Sequence, residues 1–227
     1  MRCRLVGSEM CIRDRPTVAE INLTAIRKNL KKIKSLSRDS LIYPVVKANA
    51  YGHGYKKVVK EIENLVDGLC VATTEEALEI RKITNKNILC MEGPYDQKEF
   101  DLLIKNKIDI VFHSKRQIGF IERTNDFPKE IKVWIKIDTG MNRLGFKEDE
   151  IIDAYKKIQV KTKKIVLMSH FSSAAGTKSS KIKSKKQIYR FNKIEKKLNK
   201  MGFNPLSSLC NSGGLLNYRS SHKDIVR

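Results

Sequence analysis

A lysine follows the apolar run 41–46, within the segment PVVKANAYGHG. Burial disfavours an ammonium, so a lysine at the end of a buried strand is unusual. The same desolvation makes a good imine-forming amine. Taken alone, Lys47 also fits an ordinary rim lysine. Further on, KIDTGMNRLGF sets Lys136 and Asp138 at the end of another apolar run, with Arg143 beyond. His170 follows the run 165–168, Asn211 and Ser212 follow 208–210, and Arg227 lies in a last apolar run. Each also has a plain structural explanation. A lone His170 fits a structural histidine, Asn211 with Ser212 a helix cap, and Asp138 with Thr139 a turn.

What must position these groups is an alternation of short apolar runs and amphipathic helices. A strand is expected at 18–23, ahead of a helix capped by Thr24 with Ile26, Leu30 and Ile33 on one face. Strands follow at 41–46, 69–72, 88–91, 110–112, 131–137, 165–168 and 208–210. Helices are expected at 55–64, 74–83 with Thr74 as cap, 97–105, 115–122, 148–158, 185–200 and 212–216. An eighth strand begins at 224–227. Alternation of this kind implies parallel strands with right-handed crossovers. Seven units and the start of an eighth suit an α/β fold of the (β/α)8 TIM-barrel type with its eighth strand incomplete. No GxGxxG follows the first strand, which argues against a dinucleotide-binding sheet. In such a barrel, functional groups gather after the C-terminal ends of the strands. Lys47, Lys136, Asp138, Arg143, His170, Asn211, Ser212 and Arg227 therefore converge on one rim.

VVKANAYGHG closely resembles the cofactor-lysine motif of alanine racemases, and KIDTGMNRLGF resembles the second signature block of that family. SHFSSA, CNSGG and DIVR resemble further blocks, in the expected order. The resemblance covers residues 16–227. It implies a fold-type III pyridoxal 5'-phosphate enzyme acting on alanine, as a head-to-tail homodimer. By resemblance, Lys47 binds the cofactor covalently and is one of two catalytic bases. Tyr51 and Ser212 contact its phosphate, and Arg143 its phenolic oxygen. Lys136, often carbamylated in the family, helps to hold that arginine. His170 lies against the pyridine ring, Asn211 lines the site, and Arg227 faces the ring nitrogen. The family's second base is a tyrosine from the partner subunit's β-rich C-terminal domain. That domain is not in these residues, so the 227-residue chain is expected to be a fragment inactive by itself. A single-domain pyridoxal-phosphate homeostasis protein shares barrel and length, but the two motifs favour the racemase.

Composition bounds the rest. The chain is 41% hydrophobic and 31% charged, as in a soluble globular protein. No run of 18 or more apolar residues could span a membrane, and no secretory signal is evident, so a cytoplasmic location is expected. Residues 1–15 carry no usable periodicity, and VGSEMCIRDR resembles a translated sequencing-adapter artefact. They read as non-native, and the barrel domain as 16–227. Cys70, Cys90 and Cys210 sit in apolar stretches, and no cysteine pair has metal-ligand spacing, so no metal is expected. The net charge of +21 raises nucleic-acid binding, yet the lysines spread along solvent-facing helix positions, so no nucleic-acid partner is expected.

Overall fold

The computed structural model describes residues 18–227. The segment 1–15 lies outside them. The first described element is a helix, α1 (Leu23–Leu36), capped by the Asn22 side chain, which accepts from the Ala25 N–H at 2.9 Å. This corrects the expectation of a strand at 18–23 and of Thr24 as cap. Among the described residues no strand lies beside this segment to pair with it, and Val18 is 71% exposed. Asn22 is as good a cap as threonine and stands directly before Leu23, which packs on the core.

The chain then runs β1 (Leu41–Ile42), α2 (Lys47–Tyr51), α3 (Tyr55–Ile62), β2 (Gly68–Val71), α4 (Thr74–Arg81) and β3 (Asn87–Cys90). It continues through α5 (Gln97–Lys105), β4 (Asp109–Phe112), α6 (Lys115–Glu122), β5 (Val133–Lys136) and α7 (Ile151–Gln159). Last come β6 (Ile165–Met168), α8 (Lys178–Lys200), β7 (Leu206–Ser208), α9 (Ser212–Asn217) and β8 (Ile225–Val226). Thr73, not Thr74, caps α4. The Thr74 hydroxyl is taken up in donating to the Glu99 carboxylate at 2.8 Å.

All strand pairs are parallel, and β2 to β7 form one sheet in sequence order. The ring continues past both ends of that sheet. A bridge between Val45 and Cys70 joins the β1 segment to β2. β8 is two residues long and pairs with β1, Leu41 opposite Ile225 and Ile42 opposite Val226. Towards β7, side chains replace a backbone ladder. Asp224 accepts from the Ser207 N–H at 2.7 Å and from its hydroxyl at 3.0 Å, and the Ser208 hydroxyl donates to the Ile225 carbonyl at 2.8 Å. The short eighth strand is thus held on both edges.

β2, β4, β5 and β6 are buried at every residue, as expected of parallel strands covered on both faces. One core layer lies between strands and helices. A second fills the barrel: Tyr43, Cys70, Leu89, Val111, Trp134, Val166, Met168 and Ile225. Gly68 is required there, because a Cβ would run into the Tyr43 ring. α8 buries Ser180, Ser184, Gln187, Phe191, Ile194 and Leu198 at alternating spacings of four and three, so its lysines fall on the solvent face. Cys70, Cys90 and Cys210 are buried free thiols.

Candidate active site

The C-terminal ends of the strands open into a cavity of about 680 Å3, well within the range of small-ligand sites. Lys47, Tyr51, Lys136, Arg143, His170, Asn211, Ser212 and Arg227 all line it. The structure therefore brings these eight residues to one place, from the ends of β1, β5, β6, β7 and β8, while Asp138 does not line the cavity.

Lys47 and Tyr51 are presented by an unusual backbone. Ala48, Asn49, Ala50 and Tyr51 have φ of 50, 55, 54 and 52°, so α2 is a left-handed turn of non-glycine residues. Each such residue costs roughly 1–2 kcal/mol, and strain of this kind persists only where the surroundings over-determine it. Here they do. Ala50 N–H donates to the Val46 carbonyl at 2.9 Å, and Gly52 N–H to the Ala48 carbonyl at 2.9 Å. The Asn49 side chain accepts from Tyr55 N–H at 3.0 Å, and Glu76 accepts from Ala48 N–H at 2.7 Å. The turn places the Lys47 ammonium 6.0 Å from the centre of the Tyr51 ring.

Lys136 is the last residue of β5 and is buried. Arg143 sits on the loop that follows. The Asp138 carboxylate shapes that loop, accepting from the N–H groups of Gly140 (2.8 Å), Met141 (2.9 Å) and Asn142 (3.0 Å). The loop returns where Phe146 pairs with Ile137. Gly145, at φ +137°, lies too close to the Asp138 amide to carry a side chain. His170 follows β6. Asn211 caps α9 through Gly214 N–H at 3.0 Å while also facing the cavity, and Ser212 begins that helix. Arg227 spans the rim, donating from Nε to the Ser208 hydroxyl at 2.9 Å and from its terminal nitrogen to the Ser169 carbonyl at 2.6 Å.

Four cationic side chains, Lys47, Lys136, Arg143 and Arg227, face one carboxylate, Glu92, among the described lining residues. Burial, with Arg143 and Arg227 nearby, lowers the Lys136 pKa to about 8. Burial first, and then Arg227, Lys136 and Arg143, push the His170 imidazole down to about 3. It is neutral at physiological pH. The site thus offers a primary amine, an uncharged ring and an excess of positive charge. That donor set suits a flat, multiply anionic molecule with a carbonyl carbon that an amine can attack.

Glu92 is missing from the sequence-based set, although it lies two residues after β3 and the strand-end rule reaches it. Its carboxylate accepts from the Tyr95 hydroxyl at 2.6 Å. Met168 and Leu144, also lining the cavity, are apolar and have no signal of their own in the sequence.

The family model described as alanine racemase, N-terminal domain, matches residues 21–227. The alanine racemase of Mannheimia succiniciproducens is 38% identical over 216 residues, and that of Haemophilus influenzae 39% over 218. Each alignment covers 94% of this chain and 58% of the relative, so the chain spans little more than half the length of these proteins. Among solved structures, the alanine racemase of Acinetobacter baumannii superposes with a TM-score of 0.83 at 32% identity, over 91% of this chain and 57% of that one. The alanine racemase of Bartonella henselae, solved with covalently bound pyridoxal phosphate, gives 0.76 at 26% identity over 91% of this chain and 57% of that one. Barrel, rim and sequence agree, and the chain belongs to the alanine racemase family through that family's N-terminal domain.

Proposed function

We propose that this chain is the pyridoxal-phosphate-binding barrel of an enzyme that interconverts L- and D-alanine. The observation that carries the reading is the gathering of Lys47, Tyr51, Lys136, Arg143, His170, Asn211, Ser212 and Arg227 around one cationic cavity. The residues fit the cofactor: an amine for its aldehyde, positive charge for its phosphate and phenolic oxygen, and a neutral imidazole for its ring.

Lys47 would hold the cofactor covalently and act as base on one face of the substrate. Tyr51 and Ser212 would contact the phosphate, and Arg143 the phenolic oxygen. Lys136, carbamylated, would brace Arg143. His170 would lie against the ring, with Asn211 at its margin. Arg227 would face the ring nitrogen, and as a cation it disfavours a proton there. Bound pyridoxal phosphate supplies an electron sink that acidifies the α-proton of an attached amino acid.

Racemisation removes a proton from one face of the reacting carbon and returns one to the other, so it needs a base on each face. The proposal assigns one base, Lys47, to these residues, and losing one base of a pair costs on the order of 10²–10⁴ in rate. The 227 residues alone are therefore expected to racemise alanine negligibly. The whole protein is read as a cytoplasmic homodimer that supplies D-alanine for peptidoglycan.

The test is attachment. Purified chain incubated with pyridoxal phosphate should absorb near the visible edge, and borohydride should fix the cofactor on Lys47. Label on a different lysine, or equal absorbance from Lys47→Ala, would overturn the reading.

A further inference from the structure

The three helices that follow β2, β4 and β6 each turn one polar side chain back towards the rim. On α4, the Glu76 carboxylate accepts from Ala72 N–H at 2.8 Å and from Ala48 N–H at 2.7 Å. Ala72 follows β2, and Ala48 lies in the turn that follows β1. On α6, buried Gln117 accepts from His113 N–H at 2.9 Å and donates to the carbonyls of Glu92 at 3.1 Å and Pro94 at 3.2 Å. His113 follows β4, and the two carbonyls belong to the loop after β3. On α8, buried Gln187 accepts from Ser172 N–H at 3.0 Å and its hydroxyl at 3.1 Å, and donates to the His170 carbonyl at 3.0 Å and the Thr139 hydroxyl at 3.2 Å. Ser172 and His170 follow β6, and Thr139 follows β5.

We propose that Glu76, Gln117 and Gln187 are positioning residues, one device used three times, each latching the loop after its own strand to the loop after the preceding strand. The pairs latched are β1 with β2, β3 with β4, and β5 with β6. Through them Glu76 sets Lys47 and Tyr51, Gln117 sets Glu92, and Gln187 sets His170 and the loop bearing Arg143.

Residue type follows from what each latch meets. Both partners of Glu76 are N–H donors, and a carboxylate is purely an acceptor. The partners of Gln117 and Gln187 are mixed, and an amide supplies a donor and an acceptor at once. Gly93 belongs to the same design. At φ +68° it bends the β3 loop so that the carbonyls on either side reach Gln117, and a Cβ there would collide with the Val111 carbonyl. His113 adds a contact of 2.9 Å from its Nε2 to the Glu92 carbonyl. On α8, Arg190 adds one of 3.2 Å to the Thr139 carbonyl.

The device rests on the proposed reading of the rim only for its consequence in cofactor attachment. Near-isosteric exchanges test it. Glu76→Gln keeps one acceptor and turns a donor onto the other N–H. Gln117→Glu and Gln187→Glu point a carboxylate at carbonyl or hydroxyl oxygens. Amide hydrogen exchange read by mass spectrometry on the cofactor-free chain should show local loosening. Glu76→Gln should speed exchange about tenfold around residues 48 and 72 and leave 139–143 and 170–172 unchanged. Gln187→Glu should do the reverse, Gln117→Glu should act on 92–95 and 113, and Glu76→Ala should exceed Glu76→Gln. Borohydride trapping of pyridoxal phosphate on Lys47 should slow about tenfold in Glu76→Gln, whose latch holds the turn that carries Lys47. Uniform loosening of all rim segments, or none at the named ones, overturns the latches. Failure of the parent chain to trap on Lys47, with the local exchange pattern intact, instead overturns the functional reading and leaves the latches standing.

Discussion

At the end of β5, Lys136 is 5% exposed, and its pKa is lowered from 10.5 to about 8 by burial and by Arg143 and Arg227. A lysine whose folded pKa is depressed penalises folding below that pKa, where both states are protonated and the penalty is constant. Between about 8 and 10.5 the unfolded chain holds a proton that the folded chain lacks, so stability rises with pH. Lys136→Met should therefore stabilise the cofactor-free chain at pH 7 by roughly 1–3 kcal/mol, and the gain should fade through that window. Urea midpoints at pH 7 and above pH 10 check this, and a variant less stable at pH 7 would sink it. Ala48 offers a second test, because it is exposed and its φ is 50°. Ala48→Val removes no packing but forces a β-branched side chain into the left-handed region. It should lower the chemical-denaturation midpoint beyond the strain Ala48 already carries, whereas an unchanged midpoint would mean that the turn is not left-handed in solution. Seven of the eight cavity residues were legible in the sequence because they end or follow apolar runs inside ordered motifs, and Tyr51 only through the resemblance of its motif. Glu76, Gln117 and Gln187 were not, because nothing local separates them from any polar residue of an amphipathic helix. Their partners lie as far as 48 positions away.

Among the elements, most strands and helices follow from hydrophobic period alone. The misreadings include residues 18–23 and Thr73 against Thr74, where two local signals compete, and three element bounds: the run 41–46 is strand only at Leu41–Ile42, the seventh strand is Leu206–Ser208 rather than 208–210, and α8 begins at Lys178 rather than at 185. The seam between β7 and β8 shows what period cannot reveal. β8 has two residues, and its hold on β7 depends on Asp224, whose carboxylate takes two hydrogen bonds from Ser207. The Asp224 carbonyl also accepts from Leu41 N–H at 2.8 Å, so one residue ties β7 to β1 across the short strand. Asp224→Ala should cost roughly 2–3 kcal/mol, the scale of hydrogen bonds to a charged group. Exchange should quicken first at residues 41–43 and 207–208. A loss below about 0.5 kcal/mol would show that the seam is held by apolar packing instead.

For the whole molecule, whose net charge is +21, the basic side chains include two distinct populations. The lysines of α8 stand on its solvent face, where water and salt screen them. Lys47, Lys136, Arg143 and Arg227 instead surround one cavity with Glu92 as counter-charge. Mutual repulsion and desolvation there are reduced by any anion that enters. This distinguishes a site from a merely basic surface, because a diffuse charge answers to ionic strength and a site answers to the identity of the ion. Inorganic phosphate at about ten times its dissociation constant should raise the melting temperature of the cofactor-free chain by roughly 3–6 °C over chloride at equal ionic strength. Arg143→Ala should abolish most of that difference, while Lys181→Ala and Lys185→Ala on α8 should leave it intact. Phosphate should also draw Lys136 back towards its ordinary pKa, which shrinks the pH dependence described for that residue. Equal stabilisation by chloride, or a phosphate effect lost with the α8 lysines rather than with Arg143, would locate the anion preference on the surface and remove the electrostatic case for the cavity.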